Sequence, residues 1–113
     1  MNMTINDLIK DQHFDVQNAG SDPDREMTNV FCCDLLSIAM GKAPAGCAWV
    51  TVMSNINTLA VASLADAACI VLAEGIQPDD IMLNKAIEQD IPLFTTSLPV
   101  FEAALRIYEN IRV

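Results

Sequence analysis

The sequence predicts an α/β domain with a largely parallel sheet of four to five strands that is covered by helices. From residue 47 onward, a short apolar run alternates three times with a longer amphipathic one, as in repeated strand–helix units. The strand-like runs carry no charged residue, which is typical of strands buried on both faces. A chain of 113 residues holds one core and no second, so residues 1–113 are predicted to form a single domain.

The first forty residues carry less regular elements. Ile5–Lys10 predicts a short helical turn, and Phe14–Ala19 predicts a first strand. After a polar, turn-forming cluster, Asn29–Cys33 predicts an extended segment that leads directly into a helix. We expect Asp34 to cap this helix, because its carboxylate can accept a first-turn N–H. The pattern leaves open whether residues 1–20 pack on the domain or form a loosely attached N-terminal segment.

The second half of the chain has clearer helix signals. Pro78 tolerates the first turn of a helix, and the acidic residues Asp79 and Asp80 favour the positive end of the helix dipole. Ser97 and Pro99 mark the start of the last helix in the same way. The strands are expected at Ala48–Met53, Cys69–Ala73 and Pro92–Thr96, and the helices at Thr58–Ala67, Pro78–Gln89 and from Pro99 to about Ile111.

The charge balance argues against nucleic acid and membrane as partners. Fifteen acidic and six basic residues give a net charge of −9, whereas phosphate contacts need Lys or Arg. Asp66 is the only charged residue in Ala43–Ala73, which could suggest a membrane-spanning segment. Residues such as Pro44 and Gly46 interrupt this stretch, so it contains no run of the roughly 20 apolar residues that a spanning helix requires. The N-terminal residues lack a targeting pattern, so we expect a cytoplasmic protein.

The cysteines are interpreted as buried apolar side chains. No C-x-x-C pair is present and the single histidine, His13, lies far away in sequence, so no metal site is predicted. The alternative is that Cys32 and Cys33 are exposed and reactive, or that the cysteines hold an iron–sulfur cluster. The four cysteines are Cys32, Cys33, Cys47 and Cys69.

Polar residues follow each of the three predicted strands. Parallel strands end at one edge of a sheet, where ligands of open α/β sheets usually bind and where helix N-termini favour anions. The competing interpretation is that these side chains only cap helices. The predicted ligand-binding residues are Ser54, Asn55, Asn57, Glu74, Thr96 and Ser97, with Gly75 and Thr95 beside them.

No catalytic pattern is present, so we predict no enzyme activity, no catalytic residues and no cofactor. A nucleophile–base pair would depend on His13, and there is no G-x-S-x-G elbow. Gly41-Lys42 is followed by Ala43, which excludes a phosphate-binding loop, and no G-x-G-x-x-G string occurs. The remaining enzyme hypothesis is a site assembled across a dimer interface.

Four segments of the chain resemble the DRTGG-domain family. Asp24–Gly41 looks like the opening of such a domain. Ala48–Met53, Ala60–Gly75 and Ile91–Ser97 are similar to the stand-alone members of anaerobic bacteria, some of which are associated with hydrogenase. The resemblance extends over about residues 24–110, although the five-residue string that names the family is absent.

The resemblance implies an α/β accessory or regulatory domain, similar in fold to the N-terminal domain of HPr kinase, that often dimerises and has no established reaction. Related domains accompany CBS domains in regulated inorganic pyrophosphatases. The apolar content, 52% of the residues, also favours two-fold pairing. We therefore expect a non-enzymatic homodimer that binds a small metabolite or nucleotide and acts on a partner enzyme. The alternative is an iron–sulfur or thiol-redox accessory protein associated with hydrogenase.

Overall fold

The computed structural model describes residues 3–112, with the side chain of residue 112 left out. Strands and helices alternate through most of this part of the chain. In chain order they are β1 (Met3–Thr4), α1 (Ile5–Lys10), β2 (Asp15–Asn18), β3 (Glu26–Met27), β4 (Asn29–Cys32), α2 (Leu36–Lys42), β5 (Cys47–Thr51), α3 (Ile56–Ala65), β6 (Cys69–Leu72), α4 (Asp80–Glu88), β7 (Leu93–Thr95) and α5 (Val100–Arg112).

The main sheet has five strands in the order β2-β7-β6-β5-β4. Strands β4, β5, β6 and β7 run parallel, with Ala48 beside Cys69 and Ile70 beside Leu93, and only β2 runs antiparallel, along β7. Every residue of β5, β6 and β7 is buried, which explains why these runs carry no charge. The predicted fold class is therefore confirmed.

Helices cover both faces of this sheet and form two apolar cores. Successive strand residues point to opposite faces, so Val50 and Phe94 pack against α1 and α5. Trp49 and Ile70 pack on the other side against α2, α3 and α4. The Trp49 indole is fully buried, lies 6.3 Å from the Phe31 ring between centroids, and donates from Nε1 to the Cys33 carbonyl oxygen (3.0 Å).

The N-terminal segment packs on the domain, which answers the question that the sequence pattern leaves open. Met3, Ile5, Leu8 and Phe14 are buried in the core beneath α5. Strand β1 pairs antiparallel with β3, a two-stranded sheet that the sequence analysis does not predict. Of residues 1–20, the first two lie outside the described residues.

The expected role of Asp34 is wrong. Helix α2 has Leu35 as its N-cap, without a side-chain cap. The Asp34 carboxylate turns instead toward β5, where Oδ1 accepts hydrogen bonds from Thr51 Oγ1 (2.7 Å) and from the Val52 N–H (3.0 Å). Because a donor on the neighbouring strand competes with the local cap, Asp34 ties the ends of β4 and β5 together.

Among residues 3–112, no helix is long and apolar enough to cross a lipid bilayer.

Candidate functional site

The carboxyl ends of β4 to β7 and the loops that follow them form one edge of the sheet, which we call the rim. It consists of residues 33–35, 52–57, 73–80 and 95–99, together with 11–13, which precede β2 beside the end of β7. Neighbouring loops are joined by hydrogen bonds, from Ser54 Oγ to the Gln77 carbonyl (3.0 Å) and from the Gly75 N–H to the Thr96 carbonyl (3.0 Å). The structure thus places all six predicted site residues on this edge: Ser54, Asn55, Asn57, Glu74, Thr96 and Ser97.

Three of the four helix N-termini at the rim are occupied by the chain's own side chains, whereas that of α2 has no side-chain cap. Asn55 Oδ1 caps α3 by accepting from the N–H groups of Asn57 (2.8 Å) and Thr58 (3.3 Å). Asp79 caps α4 in the same manner. Glu74, in the left-handed region with φ 62°, accepts the Val100 N–H that opens α5 (2.8 Å). At these three helix N-termini an anion would have to displace the capping oxygens, two of which belong to carboxylates.

The threonines of the rim hold the loops in place. Thr96 is buried, donates from Oγ1 to the His13 carbonyl (2.7 Å) and accepts from the Leu98 N–H (3.2 Å). Thr95 is also buried and accepts from Gln17 Nε2 (3.1 Å). By contrast, Asn57 and Ser97 are exposed. They are the predicted site residues best placed to contact a ligand from solvent.

The rim is acidic. Asp34, Glu74, Asp79 and Asp80 lie on it, whereas residues 43–84 contain no Lys or Arg at all. The local potential therefore opposes free phosphate and favours uncharged or cationic groups.

A cluster that the sequence analysis missed lies at one end of the rim. Asp11 Oδ1 accepts from the His13 backbone N–H (2.9 Å) and lies 3.1 Å from His13 Nδ1, while Oδ2 accepts from Arg106 Nε (2.7 Å). Burial alone would raise the pKa of Asp11, but the hydrogen bonds from Arg106 and His13 outweigh it and hold this pKa below its ordinary value. The spacing of Asp11 and His13 in the sequence could have indicated their contact. The contact with Arg106, which lies 95 residues away, could not be inferred from the sequence.

The cysteines divide into two pairs. Cys47 and Cys69 are fully buried, as predicted, and burial raises the pKa of Cys47 to about 11 and that of Cys69 above its ordinary value. Cys32 is exposed and Cys33 half-buried, so the buried interpretation is wrong for Cys32. Desolvation, assisted by Asp34, nevertheless raises the pKa of Cys32, which disfavours the reactive thiolate.

The described residues contain no group of three or more His, Cys, Asp or Glu side chains arranged to hold a metal ion. Cys47 and Cys69 belong to separate cores on opposite faces of the sheet. A cluster bound by all four thiols therefore has no site in residues 3–112.

A cavity of about 200 Å³ lies away from the rim, at the opposite edge of the parallel strands. Its charged groups are engaged with the chain itself. Arg25 pairs with Asp66 (3.3 Å), and Asp90 accepts from the Ser21 N–H (2.9 Å) and hydroxyl. None of the predicted site residues lines it.

Replacing Asn55 with alanine is expected to lower the free energy of unfolding by about 1 kcal/mol, because α3 loses its N-cap. Asn57→Ala, two positions along the same helix, should change it by less than about 0.5 kcal/mol, since its exposed side chain takes no part in the cap. Urea unfolding of both variants checks this. Equal losses would contradict the assignment of the cap.

Comparison with known proteins shows a similarity of fold but none of sequence. No protein-family model matches the chain, and no curated protein matches it. Among solved structures, the fold is similar to the CBS and DRTGG domains of the regulatory region of Clostridium perfringens pyrophosphatase, in complex with the activator diadenosine tetraphosphate. The TM-score is 0.70 at 15% identity, and the match covers 87% of this chain and 43% of that one. The chain therefore has a DRTGG-like α/β fold and spans less than half the length of that regulatory chain.

Proposed function

We propose that the protein is a non-enzymatic regulatory domain of the cytoplasm that homodimerises and binds a small metabolite or nucleotide at the rim. The observation that carries this proposal is the gathering of Asn57, Ser97 and the capped loops at the edge where open α/β sheets take their ligands. The similar fold of a regulatory region that binds a nucleotide activator supports it. The regulated activity belongs to a partner enzyme.

The electrostatics of the rim favour the nucleoside part of a ligand over its phosphates. Carboxylates of Glu74 and Asp79 already fill two helix N-termini, and the flanking loops supply no basic residue. The Asn57 amide and the Ser97 hydroxyl can donate to and accept from a base or a ribose. We therefore propose that a nucleoside or a similarly uncharged polar metabolite binds more tightly than its polyphosphate derivatives.

A thermal-shift panel of adenosine, AMP, ATP and diadenosine tetraphosphate tests this function. At a hundredfold excess over its dissociation constant, a ligand stabilises the fold by about 2.7 kcal/mol, which is readily measured. We expect adenosine to shift the wild-type protein and the two polyphosphates to shift it less. Tighter binding of the polyphosphates would contradict the electrostatic argument, and no shift with any compound would contradict a nucleoside ligand.

Two asparagine variants locate the site. Asn57→Ala is expected to abolish the adenosine shift with little change in the stability of the free protein. The matched control is Asn84→Ala, which removes an exposed asparagine from α4 away from the rim and should bind as the wild type does. An Asn57→Ala variant that retains the full shift would place the ligand elsewhere.

A further inference from the structure

Helix α5 carries two apolar stripes, and only one of them faces the core. Ala103, Ile107 and Ile111 are buried against the sheet. Phe101, Leu105 and Tyr108 recur at positions i, i+4 and i+7 and form a second, exposed stripe. The Phe101 side chain is 72% exposed.

The second stripe borders a groove against the edge strand β4. The groove has a volume of about 390 Å³. We call this surface the α5 face. It is formed by Val30, Cys32, Phe101, Ala104, Leu105 and Tyr108.

We infer that the α5 face is covered by a second copy of this chain. This inference rests on the homodimer of the proposed function and names its surface. None of the six residues is charged, so the centre of a contact between two chains that each carry a net charge of −9 brings no carboxylates together, and the exposed Glu102 and Glu109 of α5 lie at its margin. The face also has both parts of a self-complementary contact, since each projecting Phe101 ring can enter the other copy's groove about a two-fold axis.

The contact is made by side chains and does not extend the sheet. Strand β4 lies at the end of the sheet, and its Val30 N–H is already bonded to Asn29 Oδ1 (2.8 Å). This bond competes with pairing to a strand of another chain. The partner copy therefore packs over α5 and β4.

The area of the α5 face is that of a weak dimer. Phe101 alone exposes on the order of 150 Å², and the whole face amounts to roughly 400 Å² for each copy, within the range of functional patches. Pairing it buries about 800 Å² in total, below the standard specific interface. We expect a dimer that dissociates in the micromolar range.

Sedimentation equilibrium at tens of micromolar tests the surface. The wild-type protein should be dimeric, and Phe101→Ser should weaken the dimer at least about tenfold. The matched control is Leu64→Ser, which removes a side chain that is 76% exposed on α3, and it should leave the dimer unchanged. A circular-dichroism spectrum and an unfolding curve establish that each variant is folded.

The rate of Cys32 alkylation provides a second measurement of the same contact. Cys32 lies in the groove, whereas Cys47 and Cys69 are buried, so a Cys33→Ser background leaves one accessible thiol. Alkylation should slow as protein concentration rises in the wild-type and Leu64→Ser sequences, and should be independent of concentration in Phe101→Ser. If Phe101→Ser remains dimeric and Cys32 reacts at the same rate at all protein concentrations, the protein is a homodimer but the α5 face is not its interface. A wild-type monomer would overturn both, while the adenosine shift would still test ligand binding independently.

Discussion

Replacing Trp49 with alanine is expected to lower the free energy of unfolding by about 3–5 kcal/mol, the largest effect of any variant considered for this protein. The indole is fully buried in the core beneath α2, α3 and α4. Its removal leaves a cavity and also leaves the Cys33 carbonyl without the 3.0 Å hydrogen bond from Nε1. Against a typical total stability of about 5–15 kcal/mol, such a loss brings the fold close to its limit.

Two further variants separate the contributions to this loss. Trp49→Phe keeps an aromatic ring and removes the donor, so it should cost about 2 kcal/mol. Leu64→Ala, at an exposed position, should cost less than about 0.5 kcal/mol. Trp49 is the only tryptophan, so urea unfolding must be followed by circular dichroism. A cost below about 1 kcal/mol for Trp49→Ala would show that the indole does not hold β4 against β5.

Asp11→Ala is expected to cost about 2 kcal/mol at neutral pH. The Asp11 side chain is only 8% exposed, and it joins the segment after α1 to α5 through its 2.7 Å bond to Arg106 Nε. The alanine variant leaves that guanidinium and the His13 N–H without their acceptor. Replacement of the exposed Asp24 by alanine is the control and should change the stability by less than about 0.5 kcal/mol.

The contribution of Asp11 to the free energy of unfolding should decrease as the pH falls. Its pKa in the folded state lies below the ordinary value, so the folded protein holds this proton less tightly than the unfolded chain does. The stabilisation is therefore complete above the unfolded pKa of about 4 and is lost as the pH falls through the lower, folded value. Urea unfolding from about pH 7 down to about pH 3 should show the wild-type and Asp11→Ala stabilities converging. A difference that widens on acidification would refute the assignment.

The sequence pattern predicts the parallel part of the fold because the signals for its strands and helices lie within short stretches of sequence. Strands β5, β6 and β7 are uncharged runs, and the helices after them have their own start signals, such as Pro78 with Asp79. Parallel order follows from strand–helix alternation, and it places the predicted site residues on one edge. What could be inferred was therefore the location of the rim.

The parts that were missed depend on distant partners. Strands β1 and β3 have two residues each, too few to show any periodicity, and they pair across more than twenty residues. Glu74 caps a helix that begins 26 positions later, whereas caps are recognised in sequence within about three residues. Cys32 belongs to an apolar run whose sequence does not differ from that of a buried strand. It is exposed because β4 lies at the end of the sheet.

The antiparallel pairing of β2 with β7 has a consequence for how the chain folds during translation. Residues 15–18 are made early, yet their partner, residues 93–95, leaves the ribosome almost eighty residues later. In that interval the buried Phe14 and the neighbouring Val16 have no sheet to join and are open to chaperones or to other nascent chains. The parallel core can assemble progressively as it emerges, so closure of the N-terminal segment over it is expected to be the last event of folding.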